Sequence, residues 1–174
     1  MSQPKLDKSD PSLDQPTKRE ALKDEYLQLQ KTIEDFNQQS LTIKNWSVVF
    51  GFASIGVAFT THREWVLIVS ALSAGTFWIL EAQWKTFQTA YYERVYHIEA
   101  YFRGDRSSPE PFRIPDILEP FQIAASWHAS WTKNWPTRFF KILFTWPWVF
   151  LPHLVVILIA LTLFALVKLS PFDV

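Results

Sequence analysis

The histidines and their acidic neighbours are the side chains of this 174-residue sequence with the widest chemical range, because imidazole can bind metals and transfer protons near neutral pH. His62 has no second histidine at the spacing of a zinc-binding helix motif. His97 and Glu99 are two residues apart and therefore point to different faces of a helix. We interpret Arg94 and His97 as surface residues of a helix. These spacings indicate neither a metal site nor a catalytic site.

Several kinds of chemistry are excluded by composition. The four glycines are scattered and form no phosphate-binding loop, and the absence of cysteine excludes disulfides, thiolate metal sites and a cysteine nucleophile. We therefore predict no enzyme, no cofactor and no metal. Seventeen basic residues balance seventeen acidic ones, so the formal net charge is zero and no nucleic acid is expected as a partner.

The C-terminal part contains the strongest membrane signal. Residues 142–167 run for 26 positions without a formal charge, which exceeds the about 20 apolar residues that cross a bilayer core. Pro147 and Pro152 fall near the start of this segment, where a kink is tolerated. We predict a transmembrane helix over residues 142–169, and we interpret His153 as a satisfied histidine at the headgroup boundary rather than a proton relay.

Two shorter apolar segments mirror each other about the polar tip at His62 and Arg63. Residues 45–61 and 65–80 provide 17 and 16 uncharged positions, and each covers roughly 25 Å as a helix. This pattern predicts a helical hairpin whose two arms cross the membrane, with Lys44 and Lys85 snorkelling to the boundary. A hairpin that enters and leaves through the same leaflet is the alternative.

The basic residues predict the orientation of these segments. Seven Lys and Arg precede the first arm, eight lie between the second and third apolar segments, and the tip carries only Arg63. Because basic loops stay in the cytoplasm, we predict a cytoplasmic N-terminus, an external tip and an external C-terminus at residues 170–174. The expected location is a bacterial inner membrane.

The polar regions next to both arms have helical periodicity and predict a cytoplasmic stalk. On the first helix the seam of core-type positions contains one polar break, Ser40, and on the second helix a matching aromatic stripe ends at the stop signal Gly104. The register set by the tip pairs Lys44 with Glu81 and Lys31 with Glu93. The stripes either zip the stalk or partly face neighbouring subunits; they comprise Leu22, Tyr26, Leu29, Ile33, Phe36 and Ile43, and Trp84, Phe87, Tyr91, Val95, Ile98 and Phe102.

Small residues are frequent in both apolar arms. Such residues allow helix backbones to approach closely in lipid, and their hydroxyl groups could instead line an oligomeric pore. Both possibilities apply to the same positions, which are Ser47, Gly51, Ser54, Ala58, Ser70, Ser73 and Gly75.

The remaining segments complete the predicted organisation. Residues 1–16 form a disordered polar tail, residues 17–104 the stalk and two-crossing hairpin, and residues 105–120 a Pro-rich connector. Residues 121–141 form a helix in the membrane interface, anchored by Trp127, Trp131 and Trp135. Lateral anchoring is the simpler role for this helix, and lipid sensing is the alternative. The predicted fold class is an all-α membrane protein.

A polar helix that passes through Lys44-Asn45-Trp46-Ser47 into a short arm, followed by a tight tip and a second arm ending in Phe77 to Ala82, resembles small bacterial helical-hairpin membrane proteins. The layout is similar to the SLATT class of two-crossing effectors of nucleotide-signalling antiphage systems. The resemblance covers residues 17–104, and the Pro-rich connector, the Trp-rich segment and the third crossing have no counterpart in the two-crossing pattern. It implies an oligomeric effector that disrupts the inner membrane when triggered.

Two functions remain open at this level. The first is an oligomeric pore or channel-type effector in antiviral defence, gated through the stalk by a cytoplasmic protein or signalling ligand. The second is a non-catalytic membrane scaffold that tethers a cytoplasmic partner through exposed stalk aromatics. The expected partners are the lipid bilayer and further copies of the chain.

Overall fold

The computed structural model describes residues 11–116 and 118–169, with side chains described from residue 16 onward, and this part is helical without strands. Its elements are α1 (Pro11–Thr61), α2 (Trp65–Arg103), α3 (Ile123–Thr145) and α4 (Pro147–Leu169). Helices α1, α2 and α4 are each long and apolar enough to cross a membrane. The predicted all-helical class with three candidate membrane spans is therefore confirmed.

Helices α1 and α2 run antiparallel on either side of the tip. His62 adopts a left-handed φ of 53° there, and the Arg63 amide donates to the Ala58 carbonyl at 3.1 Å. Side chains join the two helices near the tip, where Ser70 Oγ donates to the Gly51 carbonyl at 3.0 Å. They also join them at the far end, where Tyr26 OH donates to Glu99 Oε1 at 3.2 Å. Contacts thus extend along most of both helices.

Helices α3 and α4 follow one another along the side of α2. At the start of α3 the Trp127 indole donates to the Phe87 carbonyl at 3.1 Å, and near its end the Leu143 carbonyl accepts from the Trp78 indole at 3.0 Å. Helix α4 then continues to the tip, where Lys168 pairs with Glu64. The chain forms an elongated bundle of three helical layers, with α3 and α4 in series as the third.

Apolar side chains form three separate clusters along this bundle. The first cluster lies in the polar half of the bundle, which is the part formed by the charged segments of α1 and α2 far from the tip. It includes Leu22, Leu29 and Ile98. The second surrounds Ala82 where α2 meets both α3 and α4, and the third lies near the tip around Leu67. Glu25 and Arg94 are buried at the level of the first cluster, and Glu81 is buried next to Ala82 of the second, so the core combines apolar and charged side chains.

Several predicted boundaries differ from the structure. Helix α1 begins at Pro11, so the predicted tail of residues 1–16 is partly helical; proline costs no backbone hydrogen bond in the first turn of a helix. Residues 1–10 and 170–174 lie outside the described part. The predicted boundary between the Trp-rich helix and the third membrane helix lies at residues 141 and 142. In the structure α3 continues through a kink at Asn134 to Thr145, and the two helices are separated at Trp146.

Other features lie where the sequence predicted them. Helix α2 ends at Arg103, and Gly104 adopts a φ of 73° that glycine accommodates without strain. Between Gly104 and Gln122, residue 117 excepted, the chain forms neither helix nor strand. The predicted connector therefore has no regular structure where it is described.

Candidate functional site

A cluster of polar side chains is buried where α1, α2 and α4 meet. The side chains of Glu81 and His153 are both 0% exposed, and His153 Nε2 lies 2.9 Å from Glu81 Oε2. The second ring nitrogen of His153, Nδ1, lies 2.7 Å from the Ser47 hydroxyl. One histidine therefore links a carboxylate on α2 to a hydroxyl on α1.

The second oxygen of Glu81 is also occupied. Ser40 donates its hydroxyl to Oε1 at 2.9 Å, and Lys44 Nζ lies 2.8 Å from the same oxygen. The Lys44 side chain is 20% exposed, so the cluster reaches the surface there. A buried carboxylate is tolerated only when charged or polar groups compensate for its lost hydration, and Glu81 has three such partners, Ser40, Lys44 and His153.

Spacing on each helix explains how the cluster assembles. Ser40, Lys44 and Ser47 are separated by four and three residues, so they lie on one face of α1. Glu81 follows the apolar arm of α2, and His153 lies within the first two turns of α4. The polar break at Ser40 in the predicted seam is therefore the hydroxyl that donates to Glu81.

The hydrogen bonds are compatible with two charge states of His153. With a neutral ring, Nε2–H donates to the Glu81 carboxylate and Nδ1 accepts from the Ser47 hydroxyl. With a protonated ring, both nitrogens donate, and the Ser47 hydroxyl turns to become an acceptor. Both contacts of the imidazole ring are therefore hydrogen bonds in either form of the ring.

The serine, histidine and glutamate do not resemble a hydrolytic site. A nucleophilic serine must face a bound substrate, whereas Ser47 is 1% exposed and is covered by helices. Within residues 11–116 and 118–169, no group of three or more possible metal ligands occurs. The arrangement can hold three helices together.

The structure brings one of the two predicted ion pairs together. Lys44 and Glu81 are in contact, as described above, but Lys31 and Glu93 form no ion pair among the described residues. His153 has hydrogen-bond partners, as predicted, but it lies inside the bundle between Ser47 and Glu81. In the sequence, the polar residues Ser40, Lys44 and Ser47 on one face of α1 indicate a buried polar contact at this level of the bundle.

A second buried pair lies in the polar half of the bundle. Arg94 binds Glu25 with both groups nearly fully buried: Nε to Oε1 is 2.8 Å and Nη2 to Oε2 is 3.0 Å. Arg94 Nη2 also donates to the Glu119 carbonyl at 2.6 Å, and Glu25 Oε2 accepts the Phe121 amide at 2.9 Å. This pair therefore fixes the end of the connector to α1 and α2.

The interpretation of Arg94 as a surface residue is wrong. Its side chain is 3% exposed because the connector folds back over this part of α2 and adds Leu118 to the apolar cluster. Helical periodicity treats α1 and α2 as a two-helix hairpin and contains no information about a loop that covers it. His97 also contacts the connector, with Nε2 at 3.3 Å from Glu110 Oε2.

Four of the seven positions of the predicted small-residue face are buried by packing within the chain. They are Ser47, Gly51, Ala58 and Ser70, and a Cβ at Gly51 would overlap Val156 of α4. The remaining three positions of this face are partly buried: Ser54, Ser73 and Gly75. Close packing accounts for the four buried positions in this conformation.

The three predicted tryptophan anchors form a stacked ladder beside α2. The ring centroids of Trp127 and Trp131 are 5.4 Å apart, and those of Trp131 and Trp135 are 5.5 Å apart. Phe87 extends the ladder, with its centroid 4.6 Å from that of Trp131. The first two tryptophans are thus partly covered by α2, whereas Trp135 is exposed.

Comparison of the chain with protein-family models, curated proteins and solved structures finds no match.

Proposed function

We propose that this chain is a non-catalytic, multi-pass membrane scaffold that tethers a cytoplasmic partner protein. In this proposal α1, α2 and α4 cross a bacterial inner membrane, and the polar half of the bundle forms a cytoplasmic stalk. The stalk comprises residues 16–44 of α1, residues 82–103 of α2 and the connector. Fifteen of the seventeen Lys and Arg residues lie in and around these segments, and this distribution supports the orientation.

The proposal rests mainly on the exposure and the backbone conformation of Phe121. Its side chain is 86% exposed, and its backbone has a φ of 63°. A left-handed conformation of a residue with a Cβ costs roughly 1–2 kcal/mol, and an exposed ring gains no burial in return. The amide of Phe121 is held in place by the buried Glu25 carboxylate.

This combination supports a role in binding. The chain places a large apolar side chain in solvent in an unfavourable backbone conformation and fixes it with a buried ion pair. Such strain persists where the surrounding structure imposes it, and it is concentrated at functional sites. Exposed aromatic side chains are also the residues that contribute most at protein interfaces. Phe121 is therefore the proposed contact for the partner.

Photo-crosslinking in intact membranes tests this function. A photoreactive phenylalanine analogue placed at Phe121 should yield one defined, stoichiometric adduct, and Phe121→Ala should abolish copurification of that partner. Leu27 provides the matched control, since it is 55% exposed on a regular part of α1. The same analogue at Leu27 should give little adduct. Equal adducts at both positions, or none at Phe121, would overturn the proposal.

An oligomeric pore or channel-type effector, as in antiphage defence, is the second candidate. One observation favours it: Glu81 and His153 are ionisable residues buried between three candidate membrane helices, and such residues often mark ion or proton pathways. The pore is the less favoured function because four residues of the predicted pore face are buried by packing within one chain and therefore do not line a pore between subunits in this conformation. These residues are Ser47, Gly51, Ala58 and Ser70.

Ion flux separates the two candidates. The purified chain in sealed vesicles should conduct no ions if it is a scaffold, either alone or with the proteins encoded beside it. Conductance that disappears in Glu81→Gln while the protein remains folded would establish the channel and reject the scaffold. An oligomer that never conducts would reject the channel.

A further inference from the structure

A cavity of about 680 Å³ opens beside the buried polar cluster. It lies between α1, α2 and α3, next to the start of α4, and is lined by both polar and aromatic side chains. Lys85, which contributes to its wall, is one helical turn from Glu81. The cavity is therefore at the level where the polar and apolar halves of the bundle meet.

Lys85 is an unusual residue in this wall because it is a buried cation without an anionic partner. It is 9% exposed, and its Nζ donates to Asn37 Oδ1 and to Gln88 Oε1, each at 2.9 Å. Both acceptors are neutral amides. In the part of the chain that the structure describes, no carboxylate oxygen lies within 4.0 Å of Nζ.

The other buried charges of the bundle behave differently. Glu25 is bound to Arg94, and Glu81 is bound to Lys44 and His153. An isolated buried charge is costly unless an opposite charge compensates it. Lys85 is held in place by an ordered pair of amides, since Gln88 itself donates to Asn37 Oδ1 and to the Ile33 carbonyl, each at 2.8 Å. The site is built around a cation that lacks an anion.

Arg138 of α3 adds a second cation to the cavity wall. Its guanidinium makes only long contacts of 3.4 Å, from Nη1 and Nη2 to the buried hydroxyl of Ser130. It has no ion-pair partner among residues 11–116 and 118–169. Glu93 is the one acidic side chain in the wall, so Lys85 and Arg138 give the cavity a net positive charge.

We propose that this cavity binds a phosphate group through Lys85 and Arg138. A guanidinium offers a planar fork that matches phosphate oxygens, and an ammonium adds a point charge. Trp146 and Trp148 form the end of the cavity nearest to α4, and tryptophan is favoured where a membrane meets water. The phosphate belongs either to a lipid headgroup or to a soluble phosphate compound. The cavity is separate from Phe121 and does not depend on the proposed scaffold function.

Native mass spectrometry of the full chain in detergent tests the site with four probes. These are dioctanoyl phosphatidylglycerol, dioctanoylglycerol with the same tails but no phosphate, glycerol 3-phosphate and inorganic phosphate. We expect the phosphate-bearing lipid to bind at least tenfold more tightly than dioctanoylglycerol. Comparable binding of glycerol 3-phosphate or inorganic phosphate would support the cavity and assign a soluble source. Equal binding of both lipids, without binding of either soluble phosphate, would overturn the proposal.

Variants locate the binding to the cavity. Arg138→Gln should weaken phosphate binding at least tenfold, whereas Lys141→Gln, which removes an exposed cation from the same helix, should leave it unchanged. Lys85→Met tests the buried cation. If that variant fails to fold, Arg138→Lys replaces it, and this change should weaken binding less than Arg138→Gln does. Unchanged binding in Arg138→Gln would place the phosphate elsewhere.

Discussion

The two buried glutamates are neutralised in different ways, although both connect three segments of the chain. Glu25 binds Arg94 through both oxygens, and a guanidinium stays charged at every accessible pH. Glu81 divides its two oxygens among one lysine, one histidine and one serine hydroxyl. The Glu25 pair is therefore a bidentate contact with a single cation, whereas the Glu81 carboxylate depends on several side chains from two other helices.

This difference has a mechanical consequence. The Glu25–Arg94 pair binds the end of the connector through the Glu119 carbonyl and the Phe121 amide. Loss of this pair should therefore detach the connector from α1 and α2. The Glu81 cluster lies where the polar half of the bundle meets the apolar parts of α1, α2 and α4. A change in this cluster should therefore alter how the polar and apolar parts of the bundle are joined. Four predictions test this division.

The largest effect is expected from Arg94→Met. It leaves Glu25 buried without its cation, and breaking one partner of a buried pair costs about 3–5 kcal/mol. It also removes the hydrogen bond to the Glu119 carbonyl, so the connector should become sensitive to trypsin at Arg106 and Arg113. Thermal unfolding in detergent and limited proteolysis measure the two effects.

Arg103→Met is the matched control for that variant. Arg103 pairs with Glu99 at 3.5 Å on a largely exposed surface, where an ion pair contributes under about 1 kcal/mol. If Arg94→Met were as stable as Arg103→Met, the Glu25 pair would not clamp the connector. The double variant Glu25→Leu, Arg94→Met should recover part of the lost stability, because no uncompensated charge remains.

Glu81→Lys is expected to have the next largest effect. It places a second cation beside Lys44 and removes the acceptor for His153, which we expect to cost roughly 3 kcal/mol. Lys44→Glu should cost less, because Lys44 is partly exposed. The double swap restores opposite charges between residues 44 and 81, and His153 can then accept a hydrogen bond from the lysine.

Thermal stability of the wild type, both single variants and the double swap forms a complete cycle. We expect the double swap to recover part of the loss, since residues in contact are energetically coupled. A double swap no more stable than the sum of the single changes would mean that Lys44 and Glu81 do not face each other. The helices would then pair in another register, and the Glu81 cluster would not exist as described.

A moderate effect is expected from Gly51→Val, which tests whether α4 packs closely against α1 beside the cluster. The added side chain would overlap Val156, and overpacking a close contact costs typically about 1–3 kcal/mol. Gly56→Val is the control, because a Cβ at Gly56 meets open space. In the double variant Gly51→Ala, Val156→Ala, the smaller side chain at residue 156 makes room for the methyl group at residue 51, so this variant should be more stable than Gly51→Val. Equal effects of both glycine substitutions would argue that α4 does not contact α1 at this point.

The sequence predicted the helices well but only part of the polar contacts. Apolar length identified three candidate spans, and the register about the tip paired Lys44 with Glu81. Both features depend on residues close in sequence or on one hairpin. The partners of Glu25 and His153 depend on where the connector and α4 fold back, and no periodicity in either segment contains that information. The buried Arg94 was missed for this reason.

The smallest effect concerns Asp105, a partly exposed acid that contrasts with the two buried ones. Hydrogen bonds from the hydroxyl and amide of Ser108 and from Ser107 lower the pKa of its carboxyl group from 3.8 to about 2. Because the pKa is depressed on folding, the charged form stabilises this turn above pH 3.8, and that stabilisation is lost as the pH falls through about 2. Hydrogen exchange at the amides of Ser107 and Ser108, corrected for intrinsic rates, should therefore show constant protection between neutral pH and about pH 4 and decreasing protection below. Asp105→Ala should remove this protection at every pH while leaving the buried clusters intact. If protection instead declined between neutral pH and pH 4 in the wild type, the turn would not depend on the Asp105 carboxylate alone, and this prediction would be wrong.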